Sequence, residues 1–109
     1  MRLIIDTSKV TFTVSRDPQA KMEPGANPAQ KRDRNTQMPL WTVQLVAMAD
    51  DGAEVINVTV AGEQPPKVNA GQLVTPIDLQ AIPWAQNGKN GTAFRAGELK
   101  LVAAGKSAA

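Results

Sequence analysis

Five cations crowd one short stretch of this 109-residue chain: Arg16, Lys21, Lys31, Arg32 and Arg34. The carboxylates among them are Asp17, Glu23 and Asp33, so the stretch is net positive. A mobile basic loop projecting from a folded scaffold can wrap a phosphate backbone, each contact releasing counterions and making binding salt-sensitive. The same charges can instead keep a loop solvated. Trp41 follows the loop and offers a ring on which an unpaired base could stack. Its strand position beside Val43 and Leu45 makes core packing an equal account. Arg95 adjoins Phe94 on a strand, so their side chains take opposite faces. With Phe94 inward, Arg95 faces out, able to meet a phosphate or a neighbouring carboxylate. Phe12 reads as core, and Trp84, between Pro83 and a polar turn, as a surface or dimer contact.

The residue types that are missing narrow the chemistry further. The chain has no Cys, which removes disulfides, thiol nucleophiles and zinc fingers. It has no His, so there is no Ser–His triad and no imidazole metal ligand. Asp50, Asp51 and Glu54 cluster in a turn, where Asp is expected for backbone reasons; adjacent carboxylates do not converge on one substrate atom. The glycines form no phosphate-binding loop. The expectation is a non-enzymatic protein with no catalytic residue, metal, cofactor or small-molecule substrate. A net charge of +2 decides no partner by itself. Met1–Asp6 carries no apolar core of signal-peptide length, and no window approaches the roughly 20 apolar residues of a spanning helix. A cytoplasmic, membrane-free protein is expected, and Asn57-Val58-Thr59 and Asn90-Gly91-Thr92 read as strand and turn rather than glycan sites.

The elements that must position these residues are strands, because the periodicity is two. Val10, Phe12 and Val14 alternate with polar residues from Lys9 to Arg16, with Leu3 and Ile5 beginning that strand or an edge extension of it. Trp41, Val43, Leu45 and Ala47 share one face of Leu40–Met48; Leu40, Val46 and Met48 make the other face apolar too, as in a strand covered on both sides. Asp50-Asp51-Gly52 turns the chain into Glu54–Val60, giving an antiparallel hairpin. A strand follows from about Leu73 to Ile82, with Pro76 implying an edge or a bulge. Asn87–Gly91 is a second hairpin turn, and the last strand runs from about Thr92 to Val102 with a bulge at Gly97. Five strands in one domain, residues 1–109, suit a small barrel or sandwich. The irregular pieces are a long proline-containing loop (17–39), the segment 61–72 and a frayed tail (103–109).

From Met38 to Lys106 the chain resembles the single-stranded-DNA-binding proteins of filamentous phages, the gene V type. The resemblance is carried by Val58-Thr59-Val60 with Gly62-Glu63-Gln64-Pro65, by Ala70-Gly71-Gln72-Leu73-Val74-Thr75, and by Gly91-Thr92 with Glu98-Leu99-Lys100-Leu101-Val102 and Lys106. It implies a five-stranded antiparallel OB-like barrel with a long basic hairpin loop, assembled as a homodimer near the Asn87–Gly91 hairpin. It also implies phosphate-gripping cations at Arg16 and the Lys31–Arg34 cluster. Trp41 would stand where the family has its first stacking tyrosine, and Arg95 would replace a last-strand cation.

The expected function is sequence-tolerant binding of single-stranded DNA, in replication or transfer of a phage, plasmid or integrative mobile element. The nucleic-acid-binding residues are Arg16, Lys21, Lys31, Arg32, Arg34, Trp41 and Arg95. The alternative is an interaction module that docks a replication or transfer protein without binding nucleic acid. RNA binding by the same groove is a third reading, since 2′-OH contacts depend on geometry that composition does not carry.

Overall fold

Alternating apolar residues build an all-β structure, in a computed structural model that describes residues 3–23 and 29–102. The 103–109 tail and residues 24–28 of the expected loop lie outside the described residues. The strands are β1 (Leu3–Ile4), β2 (Thr11–Ala20), β3 (Leu40–Ala49), β4 (Gly52–Ala61), β5 (Leu73–Ile77), β6 (Gln80–Gln86), β7 (Lys89–Ala96) and β8 (Glu98–Leu101). They form one curled, half-barrel sheet in the order β1-β6-β7-β4-β3-β2-β5-β8. All neighbours are antiparallel except β4 and β7, which run parallel with Val58 opposite Phe94 and Thr59 opposite Arg95.

The expected five-stranded antiparallel barrel is thus corrected to an eight-stranded mixed sheet. The physical reason is a corner. Asp78 adopts a left-handed backbone with φ of 55°, and Gly97 faces it, donating its N–H to the Ile77 carbonyl at 2.8 Å. The corner breaks the stretch Leu73–Ile82 between β5 and β6 and the stretch Thr92–Val102 between β7 and β8. Leu3–Ile4 pairs with β6 instead of extending β2. Before the corner, β5 stays between β2 and β8. Beyond it, the β6–β7 arm reaches β4.

The inward positions agree with the sequence pattern. Phe12 and Val14, Val43 and Leu45, and Ile56, Val58 and Val60 join Val74, Leu79, Ala96 and Leu99 in one core. Val43, Leu45 and Val58 are 0% exposed, and each such side chain contributes about 1.5–3 kcal/mol by leaving water. The β3–β4 pair is not covered on both sides along its whole length: Leu40 is buried, but Met48 and Val55 are exposed. The turn Asn87-Gly88 has φ of 53° and 76°, the double positive φ of a type I′ hairpin that links right-twisted strands. β2 continues to Ala20, past Pro18, where the sequence suggests a loop from Asp17; register shifts on both sides of Arg16 absorb the proline. Among the described residues no helix is long and apolar enough to cross a membrane.

Leu45→Ala should cost about 2–5 kcal/mol of unfolding free energy, the usual range for emptying a packed leucine site. Val55→Ala, on the exposed side of the neighbouring strand, should stay within about 0.5 kcal/mol. Urea unfolding of the two variants checks the assignment of faces; equal losses would contradict it.

Candidate nucleic-acid interface

Residues 21–23 and 29–39, the described parts of the chain between β2 and β3, are tied down by backbone hydrogen bonds. Lys31 donates its N–H to the Lys21 carbonyl at 2.7 Å, Lys21 donates to the Leu40 carbonyl at 3.0 Å, and Leu40 donates to the Lys31 carbonyl at 2.8 Å. Three backbones therefore meet where β2 ends and β3 begins. On one side of this knot Glu23 donates to the Ala29 carbonyl; on the other, Asp33 donates to Met38 and Gln37 back to Asp33. Arg32 bridges to Pro39 in the backbone, and its guanidinium donates to the Gln37 carbonyl at 2.9 Å. The tip turns on Asp33, whose carboxylate accepts the N–H groups of Asn35 at 2.7 Å and Thr36 at 3.2 Å. This is the local turn chemistry that Asp favours.

The tip leans on the sheet through an ion pair between Asp33 and Arg95. Arg95 is on β7, beside Thr59 of β4, and Lys21 reaches the same place, donating its ammonium to the Thr59 hydroxyl at 2.9 Å. Positive charge is therefore concentrated around one carboxylate that is only 6% exposed. The Arg95 guanidinium and the two backbone N–H donors hold the Asp33 carboxyl down at about 2. Burial lowers the Lys21 ammonium from its ordinary value, with help from the charges of Lys31 and Arg95. Lys31, Arg32, Arg34 and Arg95 line a cavity of about 450 Å³ together with Glu23 and Asp33. The Asp33–Arg95 pair separates it from a second hollow of about 380 Å³ that reaches Gln80 and the Asp78 corner.

Strand register extends this cluster into a polar face. Gln19, Thr42, Thr59, Arg95 and Gln80 form one row of adjacent partners across five strands. Arg16, Gln44 and Asn57 form the row beside it, and these three line a shallow depression with Gln19 and Thr42. Asp17, at the rim of that depression, is turned to the 70–71 backbone, accepting the Ala70 N–H at 2.8 Å. Hydroxyls, amides and cations can bind phosphate and base edges without demanding one sequence.

Of the residues singled out from sequence, the structure brings together Lys21, Lys31, Arg32, Arg34 and Arg95. Arg16 lies on the same face, one row away. Trp41 does not join them. Its place in the alternation of β3 puts it with Val43 and Leu45, the side opposite Thr42, and its indole N–H donates to the Gly62 carbonyl at 2.8 Å. Sequence reasoning missed Asp33 as the anchor and the polar row through Thr42 and Thr59. The alternation of Thr42 and Gln44 with Val43 and Leu45 carried part of that signal, but the partnership of residues 33 and 95 has no local trace. Among the described residues, no group of three or more carboxylates could hold a metal ion. Comparison with protein-family models, curated proteins and solved structures finds no match.

Asp33→Asn removes the charge while keeping an oxygen for the Asn35 and Thr36 N–H groups. A carboxyl depressed on folding adds stability above its unfolded value, near pH 4, and loses it as pH falls toward about 2. The wild-type protein should therefore be more stable than D33N at pH 7, with the difference closing between about pH 4 and 2. Urea midpoints of both proteins over that range test this; a difference independent of pH would contradict it.

Proposed function

We propose that this protein binds single-stranded DNA without strong sequence preference and catalyses no reaction. The observation that carries the reading is the gathering of Lys21, Lys31, Arg32, Arg34 and Arg95 at one end of an outer sheet face otherwise made of Thr, Gln and Asn. Crowded cations repel one another, and the charges of Lys31 and Arg95 add to the burial that lowers the Lys21 ammonium. A phosphate chain laid across them relieves that repulsion and releases its own counterions. Arg16 continues the track along β2.

The connectivity supports an OB-like reading. With β5–β6 and β7–β8 taken as two ribbons bent at the corner, β2 pairs with β3 and β5, and β4 pairs with β3 and, in parallel, with β7. OB folds bind oligonucleotides on the face of their second and third strands and with the loops that flank it. Here those are the outer face of β3–β4, residues 21–23 and 29–39 of the connection, and the Asn87-Gly88 turn. The role in replication or transfer of a phage, plasmid or mobile element is carried over from the sequence resemblance alone. The competing docking module draws on exposed Met48 and Val55 at the far end of the same strands.

Anisotropy of a labelled oligo-dT, titrated at several salt concentrations with duplex and oligo-rU as comparisons, tests the proposal. Binding should be tight at low salt and fall steeply with added salt. Lys31→Ala or Arg34→Ala should each flatten the slope of log K against log salt by about 0.7, the share of one single-strand phosphate contact. Absence of binding at low salt would overturn the proposal and favour the docking module.

A further inference from the structure

The aromatic residues divide sharply in their availability. All four, Phe12, Trp41, Trp84 and Phe94, lie among the described residues. Phe12 is buried, Phe94 packs against the core, and Trp41 is tied by its N–H to Gly62. Trp84 alone is exposed, at 46%. Its place on the sheet is set by register. Gln80 pairs with Arg95, Ile82 with Ala93, and Trp84 with Gly91. Side chains two apart share a face, so Trp84 stands on the face that carries Arg95 and Thr59, four residues along the strand from the Arg95 pair, about 13 Å at the usual rise.

Gly91 is what seats the ring. A Cβ at residue 91 would come within 2.7 Å and 2.9 Å of carbons of the Trp84 indole, so the ring covers the spot a side chain would fill. One side of the indole is held by backbone, and nearly half the residue remains open to solvent. A ring fixed in this way loses little further freedom when something stacks on it.

We propose that Trp84, seated on Gly91 at one end of the outer face that Arg95 occupies, is the stacking platform for an unpaired base of the bound strand. This rests on the single-strand-binding reading above and gives to Trp84 the role that the sequence suggests for Trp41. The base is the occupant because the platform is continuous with the phosphate-binding side chains. A strand held at Arg95 and Lys21 reaches it by following the β6–β7 arm, past the small Ala93.

Trp84→Ala, Trp84→Phe, Gly91→Ala and Trp41→Phe are compared by anisotropy of labelled oligo-dT, with protein emission followed in the same titrations. W84A should lose about 5- to 150-fold in affinity, the worth of one stacked base, with the salt slope unchanged because no phosphate contact is lost. W84F should restore most of the affinity. G91A, which unseats the ring, should weaken binding in the same sense. W41F, with Trp84 as its only tryptophan, should be quenched by oligo-dT. The platform is overturned if oligo-dT binds with the expected salt dependence while W84A stays within twofold of wild type and the emission of W41F is unmoved; phosphate binding then stands without it. It is also overturned if W41F emission changes with protein concentration alone, the mark of a second copy covering the ring. No anisotropy change in any protein removes the underlying reading and the platform together.

Discussion

Asp33 is the carboxylate around which the positive charge of this molecule is folded. It stands on a turn whose N–H groups it accepts, and it reaches across to Arg95 on a strand 62 residues later in the chain. With it in place, Lys21, Lys31, Arg32, Arg34 and Arg95 can share one corner of the surface. Without it, the same charges would push the connection away from the sheet, since like charges in a half-buried setting are poorly screened. The backbone knot of Lys21, Lys31 and Leu40 fixes where the connection starts and ends; the ion pair fixes how its tip lies. Asp33 also limits the site, because the anion that Arg95 meets in the free protein is supplied by the chain itself.

The corner at Asp78 and Gly97 is the second constraint. A hairpin that ran straight from Leu73 to Gln86 and back would leave Arg95 far from β4. Bent there, it carries β7 against β4, and this parallel pairing sets Arg95 beside Thr59 within reach of Lys21. The same bend turns the outer side of the β6–β7 arm, with Trp84 on it, into a continuation of the β3–β4 face. The half-barrel and the surface it offers thus follow from one aspartate with positive φ and the Gly97 N–H that closes onto the Ile77 carbonyl beside it.

Much of the local structure was readable in the residues. The Val10-Phe12-Val14 and Ile56-Val58-Val60 alternations, the β3–β4 hairpin at Asp50-Asp51 and the Asn87-Gly88 turn depend on neighbours in sequence, and period two reports them directly. The opposition of Phe94 and Arg95 was legible for the same reason. What was not legible depends on distant partners. The positive φ of Asp78 has no compositional sign, so two broken ribbons look like two plain strands. The parallel pairing of β4 with β7 joins segments about 36 residues apart in register. Proline at 18 signals a loop, yet the register shifts around Arg16 let the strand continue. Trp41 and Trp84 look alike in sequence, one near a basic loop and one near a polar turn. Only the register shows that the first falls on the core side of its strand and the second on the face shared with Arg95.

The central claim is that one face of a curled sheet, with its cations gathered at one end, receives a polyanionic strand. Amide chemical-shift mapping of the labelled protein with oligo-dT at low salt tests it most directly. The account predicts the largest shifts at Lys21, Lys31–Arg34, Thr42, Thr59 and Arg95, with Asp50–Glu54 at the opposite end of the β3–β4 hairpin unmoved. Shifts centred on that acidic tip, or none at saturating oligonucleotide, would contradict it.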